Sequence, residues 1–274
     1  MSAAFVALAL CCLATTSSGT AIARASASVH RRGRRSGGPA SSVRGPELRH
    51  RLRVCNAYAA PAALEILRGR GGKLTSDHAM DYKDCRDFVA PLKAGDTLEF
   101  KVGHNQTGSF SVSDLPSFDA LLLLVVHRHD AASAAMSFES HIFANLLNAQ
   151  VAVIDAYKGQ STALPRIRDA ANRARSEELR FDSVVAVNPG TYEVDLKGSD
   201  GGIKANSALV ALNRESYVIL RVGADSASGE PHPEELVVFP RSQATSLAHD
   251  GAEVGGRSPM RSLVRSVSAW LFGE

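Results

Sequence analysis

The sequence predicts an all-β protein: two tandem antiparallel β-sandwich units followed by a C-terminal amphipathic helix. Short apolar runs recur about every ten residues between clusters of Gly, Pro, Asn and Asp, as strands separated by turns do. Several runs alternate apolar with charged side chains, the pattern of a strand with one buried and one wet face. The third observation is an internal repeat, in which the pattern of the first half returns in the second.

The chain opens on an apolar stretch over residues 3–14, followed by the small-residue sites Ala21-Ile22-Ala23 and Ala23-Arg24-Ala25. Residues 1–25 are expected to be a signal peptide, since the stretch is too short to cross a bilayer; Cys11 and Cys12 leave with it. Residues 26–50 carry His30-Arg31-Arg32-Gly33-Arg34-Arg35 and one acid, so they cannot build a core and are expected to be a disordered basic spacer. A pro-segment and the transit half of a complex-plastid import signal share that composition, and both stay open.

The first sandwich is expected over residues 51–130. Its alternating strand buries Leu98, Phe100 and Val102 and exposes Glu99 and Lys101, after a turn at Gly95; the continuous apolar run 121–126 is a central strand. The second sandwich is expected over residues 139–240, with Tyr192, Val194 and Leu196 alternating against Glu193 and Asp195 after Pro189-Gly190, and a last strand at 236–239. Matching Asn56 to Asn145 gives a repeat offset of 89, and Gly95 to Gly190 an offset of 95. The charged stretch 166–180 reads as an inserted loop or short exposed helix. A linker over 241–257 leads to a helix over 258–274, capped by Ser258 with Pro259 in its first turn. Leu263, Val267, Trp270 and Leu271 share its apolar face, which is expected to dock on the sandwiches, on a partner protein or peripherally on a membrane surface.

Charge and cysteines bound the function. Seven Arg against the single Glu47 make the first 50 residues strongly basic, leaving 24 basic against 27 acidic residues in the rest of the chain. A nucleic-acid binder needs a basic footprint on its folded domain, so nucleic acid is not expected as a partner. Cys55 and Cys85 are the two thiols beyond the leader, and they are expected to pair, closing a loop of about 30 residues worth roughly 3 kcal/mol. Asn105-Gln106-Thr107 is a glycosylation sequon, with Asn105 as acceptor.

Chemistry is sparse in the sequence. It contains no Gly-x-Ser-x-Gly elbow, no His-Glu-x-x-His pair and no phosphate-binding Gly-x4-Gly-Lys loop, so a non-enzymatic protein without cofactors is expected. Arg68-Gly69-Arg70-Gly71-Gly72-Lys73 reads as a hairpin connection rather than an anion loop. His127 and His129 follow the central strand on one face and, with His141, are the weak candidates for zinc ligands; a solvated strand end is the plainer reading. The one Trp lies outside both units, which leaves Tyr58 and Tyr157 as the candidate ligand-binding residues for stacking on a sugar.

Two units, each with a strand at Asn56-Ala57 or Asn145 and a turn at Gly95 or Pro189-Gly190 before an alternating strand, resemble the accessory F protein of bacterial alginate O-acetylation and related secreted tandem β-sandwich domains. That resemblance covers residues 51–225 and implies a non-catalytic adaptor linked to polysaccharide binding or polysaccharide O-acetylation. The expectation from sequence is a secreted or secretory-lumen binding protein with polysaccharide or protein partners. The alternative is an organelle-imported structural subunit of a membrane complex, in a complex-plastid lumen or stroma, held by its C-terminal helix.

Overall fold

The structure, a computed structural model, describes residues 50–69, 72–89, 91–103, 106–144, 147–225, 232–250 and 264–266. All of them belong to one compact unit, residues 46–274. The expected signal peptide, nearly all of the basic spacer and Asn105 lie outside the described residues.

The first half holds β1 (His50–Ala57), β2 (Leu64–Arg68), β3 (Gly72–Lys73), β4 (Cys85–Phe88), β5 (Thr97–Val102), β6 (Gln106–Ser111), β7 (Ala120–Arg128) and β8 (Met136–Ala144). The second holds β9 (Ala149–Asp155), β10 (Ala163–Asp169), β11 (Ser176–Glu178), β12 (Ser183–Val187), β13 (Gly190–Gly198), β14 (Ile203–Ala211), β15 (Ser216–Ala224) and β16 (His232–Phe239). A helical turn at Leu247–Asp250 and the short strand β17 (Val264–Ser266) follow. The inner sheets run β4-β1-β7-β8 and β16-β15-β9-β12-β17; the outer sheets run β3-β2-β5-β6 and β11-β10-β13-β14. Eight strands of one half therefore repeat the order of the other eight, down to the parallel pairs β1 with β7 and β9 with β15.

Alternation of side chains on the inner strands explains how the four sheets stack. Leu52 and Val54 of β1, with Leu124 and Val126 of β7, meet Ile66, Leu98 and Phe100 of the first outer sheet. Val151 and Val153 of β9, with Tyr217 and Ile219 of β15, meet Ile167, Val194 and Leu196 of the second. The opposite faces of the inner sheets pack on each other: Cys55, Leu121, Leu123, Val125 and Phe143 against Ala152, Ile154, Val218, Leu220 and Val222. Because both of their faces are covered, β7 carries an unbroken apolar run over 120–126 and β15 one over 217–220.

Four expectations need correction. Residues 136–144, placed partly at the start of the second unit, form β8 and pair with β7, so the first sandwich extends to Ala144. The strand equivalent to β1 is β9, and Asn56 corresponds to Asp155, an offset of 99: Asn56 Oδ1 accepts the Tyr58 amide and Asp155 Oδ1 accepts the Tyr157 amide, both at 3.1 Å. Asn145 itself lies outside the described residues. The charged stretch 166–180 is a hairpin of β10 and β11, its Arg and Glu side chains marking the wet face of a two-sided strand pair. Of the expected C-terminal helix, residues 264–266 form β17, whose backbone pairs with the edge of β12; Leu263, Val267, Trp270 and Leu271 lie outside the described residues. The glycine-rich stretch after Arg68 is, as expected, a hairpin connection, pairing Arg68 with Gly72.

Candidate functional site

The interface between the inner sheets has two sides that the internal repeat makes equivalent. On one, the edge at β4 lies against β16; on the other, the edge at β8 lies against β12. Neighbouring registers put Val237 and Phe239 of β16 in the places that Glu139 and His141 hold in β8. Extending the β1–β4 and β9–β12 registers likewise puts the Cys55–Cys85 pair where Ile154 and Asp182 stand.

The first side is closed. Cys55 and Cys85 are joined by a disulfide, with Cα atoms 4.1 Å apart and both residues buried. Val237 and Phe239 pack on the central core, the Tyr82 ring meets His232 edge-on at 5.1 Å, and Lys83 pairs with Glu235 at 3.0 Å. Arg53, 2 % exposed, grips Asp87 through Nε at 2.6 Å and Nη2 at 2.8 Å. Its Nη1 donates to the Ser216 carbonyl across the interface, and its guanidinium lies over the Phe239 ring. A buried guanidinium held this way costs its desolvation and returns a fixed orientation of the two sandwiches.

The second side opens into a cleft of about 420 Å³, lined by Phe138, Glu139, Ser140 and His141 of β8, Ala152 and Ile154 of β9, and Asp182, Ser183 and Val184 at β12. Its floor is aliphatic and its walls carry acceptors. Asp182 sits at the entry to β12 with φ of 55°, a left-handed conformation that Asp tolerates better than most residues, and its amide donates to the Val153 carbonyl at 2.7 Å. Burial raises its carboxyl above the ordinary range, and the negative charges of Glu139 and Asp155 raise it further; Lys158 acts in the opposite sense. The Glu139 carboxyl is within hydrogen-bonding reach of Asp182, which favours the protonated form of Asp182.

Behind Glu139 stands His127. Its Nδ1 donates to the Arg128 carbonyl at 2.7 Å, which leaves Nε2 facing Glu139 Oε1 at 3.4 Å, buried and without a hydrogen bond. A neutral ring turns Nε2 toward Glu139 as an acceptor, a protonated one as a donor. His141, beside them, is held below its ordinary range by burial.

The remaining residues expected from sequence fall elsewhere. Tyr58 is fully buried and donates its hydroxyl to the Ala134 carbonyl at 2.8 Å, so it cannot stack on a sugar; this expectation is corrected. Tyr157 is half-buried, with the Arg221 guanidinium 4.3 Å from its ring centre and its hydroxyl bonded to Asp225 at 2.8 Å. Burial first, and then Asp225, push that hydroxyl up to about 12. Arg221 is itself buried between Asp155 and Glu234. His129 bonds Ser137 through Nδ1, and no group of three metal-ligating side chains occurs among the described residues. Glu139 and Asp182 escaped the sequence reading because they lie 43 positions apart and no spacing links them; His141 was noticed only as a third histidine.

Sequence comparison matches the chain to no family model and to no curated protein.

Proposed function

We propose that the protein is a secreted or lumenal non-catalytic adaptor, and that a partner protein enters the cleft between β8 and β12. The carrying observation is the asymmetry of two equivalent sides: one sealed by a disulfide, aromatic packing and ion pairs, the other open and lined with carboxyls over an aliphatic floor. Such a mixed concavity suits a protruding side chain better than a sugar ring, which favours a flat aromatic surface. Tyr58 and Tyr157, the two rings nominated for a polysaccharide, are engaged within the fold. The disulfide is consistent with an oxidising compartment.

The reading is tested by recovering the tagged full-length chain from its own cells. The expected result is a mature start near residues 24–28, glycan on Asn105, and a protein partner at stoichiometric ratio that is lost from Val184→Trp, a substitution that fills the cleft. A start near residue 50 without glycan supports the organelle-imported subunit instead. A partner held equally by Val184→Trp overturns the cleft as its site.

A further inference from the structure

Two carboxyls line one wall of the cleft, with a histidine behind one of them. Glu139 and Asp182 both line it, within hydrogen-bonding reach of each other, and His127 directs a buried Nε2 at Glu139 without forming a hydrogen bond. His127 is 4 % exposed. The nearby cations do not answer this arrangement. Arg221 is spent on Asp155 and Glu234, and Lys158 acts on Asp182 only as a nearby charge. Beside the acceptors the floor is aliphatic, formed by Ala152, Ile154 and Val184.

We propose that this wall is the recognition point for one cationic side chain of the partner, an arginine or lysine, with its methylene stem on Ile154 and Val184 and its charged head between Glu139 and Asp182. The inference rests on the cleft being the partner site and adds the chemistry that selects the partner. A guanidinium presents a fork of donors to carboxylates, and the two carboxyls on this wall are acceptors. The aliphatic floor covers the stem that Lys and Arg ordinarily keep along apolar surface. A neutral polar side chain of the same shape would leave two carboxyls facing each other without a counter-charge.

Binding also acquires a pH dependence. The groups facing the pair are His127 from β7, His141 from β8, Asp155 at the end of β9, and Lys158 beyond it. Burial first, and then the neighbouring acids, raise Asp182, so its charge and the capture it supports strengthen as pH rises through that raised titration.

The test is an NMR titration of the full chain, disulfide intact, observing the His127 and His141 rings and the amides of residues 182–184. The probes are N-acetyl-arginine amide, its uncharged isostere N-acetyl-citrulline amide, and a glucosamine trimer. The arginine probe should give saturable shifts confined to the cleft, with the citrulline probe at least about tenfold weaker, as expected for loss of a charge-assisted hydrogen bond. Glu139→Gln and Asp182→Asn should each weaken the arginine probe by about tenfold; Asn tolerates the left-handed backbone at position 182, so that variant keeps the fold. Equal binding of citrulline, or binding unchanged in both variants, overturns the cationic recognition while leaving the cleft a ligand site. Trimer binding without arginine binding replaces the peptide by an amine-bearing glycan. No shift with any probe overturns the inference, whereas the Val184→Trp comparison judges the partner site without reference to charge.

Discussion

Single residues carry the strain and the charge of this fold in ways that can be measured. Gly223 has φ of +130°, and a Cβ there would stand 2.7 Å from the Pro233 carbonyl oxygen at the bulge where β15 leaves register with β16. Gly223→Ala meets both a forbidden backbone and a backbone clash. It should cost about 2 kcal/mol or more, read by chemical denaturation. Arg53 gives the electrostatic counterpart. Asp87→Ala leaves a guanidinium, 2 % exposed, without its carboxylate, and should destabilise by about 3 kcal/mol, whereas Arg53→Met, which removes the buried charge, should cost less. The ordering of the two variants is the diagnostic. Asp182 titrates in the opposite sense to a salt-bridged acid. Its folded pKa is raised, so the native state holds the proton more tightly than the unfolded chain. Its contribution is therefore most favourable at low pH and is lost as pH rises through the folded value. Asp182→Asn should accordingly gain stability relative to the native chain near neutral pH and lose that advantage below the ordinary carboxylate range, as thermal melts across pH would show.

At the scale of elements, strand character was legible because alternation is a local signal. Leu98, Phe100 and Val102 of β5 and Tyr192, Val194 and Leu196 of β13 face their cores as the pattern implies. The run 121–126 lies within β7, between β1 and β8, with both faces covered. Assignment of strands to halves was less legible. Phe138 and Phe143 of β8 read as well for the opening of a second unit as for the close of a first, and the Asn at 145 drew the repeat toward the wrong strand. The physical marker was the polar atom rather than the residue type: Asn56 and Asp155 turn the chain with the same side-chain oxygen. The cleft was not legible, because Glu139 and Asp182 meet only after the two inner sheets pack on one another. The pairing of Cys55 with Cys85 was legible, and its weight is testable. The bond links adjacent strands and closes a loop of 30 residues, so replacing both Cys by Ala should cost about 3–4 kcal/mol in the loop-entropy picture.

For the whole molecule, the shared layer between inner sheets decides how the halves behave. Phe143, Leu121, Leu123 and Val125 are buried only because Ile154, Val218 and Leu220 cover them. Expressed alone, residues 50–144 would present that apolar face to water. They should self-associate or precipitate, which size-exclusion chromatography would reveal, while the intact chain stays monomeric in the same buffer. The same layer sets the function proposed here, since the repeat gives it two equivalent sides, one sealed by Cys85, Val237 and Phe239 and the other carrying Asp182, Glu139 and His141. The most direct measurement is a photo-cross-linking scan of the full chain in its own cells. A benzophenone amino acid is placed in turn at His141 and Val184 in the cleft, at Val89 beyond the closed side, and at Ile203 on an outer sheet edge. The account predicts one protein adduct common to His141 and Val184 and absent from Val89 and Ile203. An adduct at Val89 or Ile203 with none in the cleft would contradict it.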